Sequence, residues 1–137
     1  MSRTARFREQ HVEILRLAAE LQRIPEPQLR ENAGPARKAL SNLLGKLTLH
    51  LAVEDRSVYP QLQSSPNAAV ANMAKRFEQE MGGIAAKVQA WGNSWPTPGA
   101  IQADPRRFIT ETADIITILK QRMQRENLEL YAAADAI

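Results

Sequence analysis

The stretch LSNLLGKLTLHLAVEDRSV, residues 40–58, decides the fold. Within it Leu40, Leu43, Leu47, His50, Glu54 and Val58 recur in steps of three and four, the spacing that sets side chains along one face of an α-helix. Four of these positions are apolar. The other two put an imidazole and a carboxylate where hydrocarbon would otherwise be buried, a costly placement unless the groups are paired or bind something. His50 and Glu54 stand four residues apart, so both can reach one point in the interior.

Stripes of the same kind lie on either side. Phe7, His11, Ile14, Ala18 and Leu21 precede it; Val70, Met73, Phe77, Met81, Ile84, Val88 and Trp91 follow, then Phe108, Thr112, Ile115, Leu119, Arg122, Glu126 and Leu130. The breaks between them hold the clustered Pro, Gly, Ser and Asn, at Ile24–Pro35, Pro60–Asn67 and Gly92–Pro105. Four long amphipathic helices joined by modest loops predict an all-α, up-down-up-down four-helix bundle, a single domain over residues 1–137. Pro35 suits a first helical turn, Pro66-Asn67 the start of the third helix, and Asp104-Pro105 an N-cap followed by an N1 proline. Tyr59-Pro60 is expected to end the second helix. Gly82-Gly83 costs about 1 kcal/mol per glycine within the third helix, and reads either as close helix packing or as a hinge.

Composition narrows the chemistry. The chain has 137 residues, 44% hydrophobic and 24% charged, enough for a packed core, and no cysteine. Disulfides, thiolate metal sites and a cysteine nucleophile are thereby excluded. No window reaches the length of a membrane helix and no apolar segment follows the N-terminal arginines, so a cytoplasmic protein with no membrane contact is expected. Eighteen Lys+Arg against fifteen Asp+Glu give a net charge of +3. The basic residues are scattered among acidic ones rather than gathered with aromatics, which argues for a solvated surface and against nucleic acid. Arg3, Arg6 and Arg8 fit solvated helix-start charges. Of Trp91 and Trp95, one is expected to cap the core and the other to lie exposed as a contact surface.

Both histidines of the chain, His11 and His50, fall on core-facing positions, as do Glu54, Arg122 and Glu126. His11 lies 13 residues before Ile24 and His50 lies 15 after Pro35. At about 1.5 Å per residue, antiparallel neighbours would bring the two rings level to within a turn.

At this point a resemblance is legible. FREQHVEIL around His11 and HLAVEDRSVYPQL from His50 to Leu62 resemble the hemerythrin-like (HHE cation-binding) family, whose signature has the form H-x-x-x-E-E-x-x-x-[YF]-P. FEQEMGGI around Met81 stands in the place of that family's third-helix Glu-His, and RMQRENLELY, Arg122 to Tyr131, in the place of its second His-x-x-x-Glu. The resemblance implies a four-helix bundle binding iron, usually a di-iron pair, for oxygen binding, storage or sensing. It also shows departures: Met81 and Arg122 replace histidines, and Asn127 replaces an acid. His11, His50, Glu54 and Glu126 remain as metal ligands. A thioether is a poor ligand for iron and a guanidinium cannot ligate.

Two expectations follow. In the first, Arg122 forks onto Glu54 or Glu126 and stands in for the cation, Met81 fills the gap, no cofactor is held, and the chain is a non-enzymatic regulatory module with a protein partner or a second copy of itself. In the second, His11, His50, Glu54 and Glu126 hold iron or zinc for oxygen or redox sensing. Catalysis is not expected, since no nucleophile-base arrangement, phosphate loop or cofactor fingerprint is present.

Overall fold

The computed structural model describes residues 4–136, and these are helical throughout apart from short connections. Helix α1 (Ala5–Gln22) is followed by a short α2 (Glu26–Glu31). Next comes a long rod made of α3 (Gly34–Val53), a π-helical turn π1 (Glu54–Val58) and α4 (Tyr59–Gln63). Helix α5 (Ala68–Ser94) and the short α6 (Pro98–Ala103) lead to a second composite rod of α7 (Pro105–Arg125), π2 (Glu126–Leu130) and α8 (Tyr131–Ala136). The four long elements pack in a ring, α1 on α3, α3 on α5, α5 on α7 and α7 on α1. The short helices α2 and α6 pack on each other at the loop end. Among the described residues no helix is long and apolar enough to cross a membrane.

The starts of the helices follow their sequence signals. Asn67 Oδ1 accepts from the backbone N–H groups of Ala69 at 3.0 Å and Val70 at 3.4 Å, satisfying donors that the first turn of α5 leaves free. Asp104 does the same for Arg107 at 3.3 Å, with Pro105 beside it. Pro35 occupies the first turn of α3.

Several expectations need correction. Tyr59-Pro60 does not end the second helix, which continues to Gln63. The π turn shifts the hydrogen-bond ladder by one residue just before the proline, so Pro60 enters as a first-turn residue of α4. The loop therefore shrinks to residues 64–67. On the last rod the buried series is Phe108, Thr112, Ile116, Leu119, Met123, Glu126 and Leu130, so Ile116 and Met123 take core positions expected for Ile115 and Arg122. A 3.6-residue period lets a step of four replace a step of three without leaving the face. Both tryptophans are buried. Trp91 donates its indole N–H to Thr112 Oγ1 at 3.2 Å, while Trp95 packs edge-on against Phe108 and lies under the Arg107 guanidinium at 5.5 Å.

Helix α5 runs unbroken through Gly82-Gly83, and a methyl group at Gly83 would meet nothing within 4 Å. Close packing does not explain that glycine. Arg3 lies outside the described residues. Arg6 is exposed, whereas Arg8 bonds Thr4 Oγ1 at 3.2 Å, pairs with Asp135 at 3.7 Å and lies 5.6 Å over the Tyr131 ring. Thr4 is itself bonded to Asp135, which ties the start of the chain to α8.

Candidate metal centre

Each long rod that carries site residues delivers them from one turn. His11 comes from α1, His50 from the last turn of α3, Glu54 from the first residue of π1, and Glu126 from the first residue of π2. All four are buried, 1–2% exposed, and one donor atom from each lies within 4.8 Å of the others. The His11 and His50 Nε2 atoms face each other at 3.0 Å. His11 Nε2 is 3.3 Å from Glu126 Oε1 and 3.8 Å from Glu54 Oε1, and His50 Nε2 is in contact with Glu54 Oε1.

The outward nitrogens fix the rings. His11 Nδ1 donates to Asn127 Oδ1 at 3.0 Å, and His50 Nδ1 donates to Gln10 Oε1 at 2.6 Å. An imidazole that donates through Nδ1 in its neutral form presents a lone pair at Nε2. In their neutral forms both rings thus aim an Nε2 lone pair inward, the arrangement that outer partners impose on metal-ligating histidines.

Two buried tyrosines close the site crosswise. Tyr59, immediately after π1, donates to Glu126 Oε2 on the last rod at 3.3 Å. Tyr131, at the end of π2, donates back to Glu54 Oε1, lies 3.1 Å from His11 Nε2 and stacks on the His11 ring at 5.2 Å. The two segments share one frame: Glu54 then Tyr59, Glu126 then Tyr131, each pair five residues apart and spanned by a π turn. In a π turn residues five apart are the hydrogen-bonded pair, so each glutamate and its tyrosine sit on adjacent turns of the same face. Phe7 covers the His50 ring edge-on at 5.9 Å.

The electrostatics bind the imidazoles and carboxylates into one proton-sharing network. Burial opposes a charge on His11, yet its hydrogen bonds to Glu126 and Glu54 more than reverse this and raise its pKa to about 9. Glu54 feels burial in the upward direction, but His11 and His50 hold it below the usual carboxylate range. Glu126 is pushed up, first by burial and then, against the pull of His11, by the neighbouring Glu54. Tyr59 and Tyr131 are both driven far up by burial and by the two glutamates, so their hydroxyls stay protonated donors.

The residues fit a metal ion. Donors about 2.1 Å from one ion stand about 3.0 Å apart at a right angle and about 3.4 Å apart at the tetrahedral angle. The 3.0 and 3.3 Å separations seen here are of that size. Glu54 Oε2 is buried without a hydrogen-bond partner, a costly state for a carboxylate oxygen that nothing ligates. Two imidazoles and two carboxylates suit iron or zinc.

The structure brings together the four expected ligands and separates Arg122 from them. The guanidinium of Arg122 points away from the centre and binds Glu80 of α5 at 3.3 Å, sharing that carboxylate with Arg125 at 2.5 Å. The expected fork onto Glu54 or Glu126 is therefore corrected. Met123 holds the core position, and Arg122 sits on the flank, where a long stem lets the charged head reach an exposed partner. Its charge is felt at Tyr59, where it opposes the effect of the glutamates. Met81 is buried beside Glu54, lining a cavity with Tyr59. Asn127, expected only as a lost acid, orients His11 instead. Gln10 and Tyr131 are further site residues; the repeated Glu-x4-Tyr spacing is the sequence signal that points to Tyr131, whereas nothing local marks Gln10.

No match was found among curated proteins or among solved structures. The hemerythrin HHE cation-binding domain matches the chain over residues 2–134. With that span, and with its His and Glu residues gathered in the interior of a helical bundle, the chain belongs to the hemerythrin HHE cation-binding domain family.

Proposed function

We propose that this chain is a single-domain, up-down-up-down bundle that binds a single metal ion, iron or zinc, through His11, His50, Glu54 and Glu126, and serves in oxygen or redox sensing. One observation carries the reading: both histidines spend Nδ1 on amide oxygens and bring their Nε2 atoms to 3.0 Å, next to two buried carboxylates. Two ring nitrogens at that distance must share a cation between them, a proton in the empty site or a metal ion in the loaded one. The alternating sense of the rods is supported by His11 in the first half of α1 meeting His50 at the end of α3, and by Trp91 near the end of α5 meeting Thr112 in the first half of α7.

When bound, such an ion supplies Lewis acidity and, for iron, redox chemistry, with positions left for a small ligand. The protein's own part is to hold its donors dry and oriented. Gln10 and Asn127 fix the imidazole tautomers, Tyr59 and Tyr131 hold the two carboxylates, and Phe7 and Tyr131 cover the rings. Four donors within 4.8 Å favour one ion, and with it a regulatory role over oxygen carriage by a di-iron pair. A protein partner or a second copy of the chain would read the state of the ion.

The test is metal content per chain by elemental analysis, on protein as purified and after anaerobic iron loading, for wild type and His50→Ala. Stoichiometric metal in wild type that is lost in the variant is expected. Folded, metal-free wild type after loading would overturn the reading.

A further inference from the structure

Beside the four ligands, where α3 and π1 face α5, lies a cavity of about 220 Å³ lined by Leu51, Glu54, Asp55, Tyr59, Glu78, Met81 and Ala85. Its residues change character with depth. Asp55, Glu78 and Ala85 are exposed, while Met81, Tyr59 and Glu54 are buried. The inner end therefore includes Glu54, whose Oε1 is taken up by Tyr131 and the histidines and whose Oε2 has no partner. Among the described residues no basic side chain lines the cavity, although the chain as a whole carries +3.

We infer that this cavity is the port through which a divalent cation reaches the four-ligand site, with Asp55 and Glu78 drawing it in and Glu54 Oε2 receiving it. The inference rests on the proposed metal site. A net positive protein repels cations at long range, so loading needs a local reversal of sign, and carboxylates at the mouth of a low-dielectric cleft focus that field. Size permits it: six waters at about 30 Å³ each amount to about 180 Å³, so an ion can enter with much of its hydration shell. Met81 is the one flexible side chain at the inner end, and its unbranched thioether can change rotamer to let the ion pass. Both acidic groups are exposed, so neutralising them leaves the core intact.

The experiment is stopped-flow absorbance of Co²⁺ association and chelator-driven release on the full chain. It compares wild type, the Asp55→Asn/Glu78→Gln double variant, Ala85→Phe and His50→Ala, at low and high salt. The double variant is expected to load about tenfold more slowly at low salt, with a flatter salt dependence than wild type. Ala85→Phe, which narrows the mouth, is expected to slow association and release together and leave affinity unchanged. If both port variants load at the wild-type rate while His50→Ala abolishes binding, the port is refuted and the metal site stands. If wild type binds no Co²⁺, both fall.

Discussion

Replacing Gln10 or Asn127 by leucine removes the acceptor behind one imidazole without touching a ligand. Each residue is half-buried, so the change opens no core cavity. Loss of such an outer partner costs about 10- to 100-fold in metal affinity, or roughly 1.4–2.8 kcal/mol. The structure ranks the two. His11 keeps other restraints when Asn127 is lost, because Tyr131 stacks on its ring at 5.2 Å and its hydroxyl stands 3.1 Å from Nε2. Outside the ligand set itself, His50 has the edge of Phe7 and its short bond to Gln10, at 2.6 Å, to set its rotation and tautomer. Gln10→Leu should therefore fall near the upper end of that range and Asn127→Leu near the lower, while Asn127→Asp, which restores a stronger acceptor, should hold or raise affinity. Competition titration against a chelator of known affinity gives the numbers, and denaturation of the metal-free variants checks that their folding stability stays near wild type. Affinities that do not change, or Asn127→Leu proving the worse of the two, would refute the view that these amides fix the ligand lone pairs.

Two further outcomes test the bundle itself. Trp91→Phe deletes the donor to Thr112 Oγ1, a hydroxyl only 3% exposed in residue terms, and should lower stability by about 1–3 kcal/mol in urea denaturation. Gly83→Ala adds a methyl group into open space in the middle of α5 and should raise stability by about 0.5–1 kcal/mol, read as a higher denaturation midpoint with an unchanged slope.

Helix identity, the loop-closing Asn67 and Asp104 caps, and the meeting of His11 with His50, Glu54 and Glu126 were legible in the sequence, because all of them follow from a 3.6-residue period and chain arithmetic. Arg122 was misjudged for a physical reason. Positions 122 and 123 both lie within one step of the stripe, and the choice between them is made by Glu80, 42 residues away. The same limit hid Gln10, whose role depends on a neighbour 40 residues further on. Tyr59-Pro60 looked like a helix end because proline removes a donor, and only the π turn before it, invisible to periodicity, makes room. The burial of Trp95 depends likewise on Phe108 and Arg107 closing over it from the next long helix.

The paired π turns have a bearing on any attempt to regularise this protein. Each amounts to one surplus residue within an otherwise ideal helix, and one residue corresponds to about 100° of rotation. Forcing either rod into uniform α-helix with its sequence unchanged would leave its glutamate in place and turn everything downstream, carrying Tyr59 or Tyr131 off the partner glutamate that it now holds. Because the grip is reciprocal, correcting one irregularity would release a carboxylate on the opposite rod. A redesign that favours uniform helices would thus remove, as if it were a flaw, the clasp that joins the two halves of the bundle at its centre.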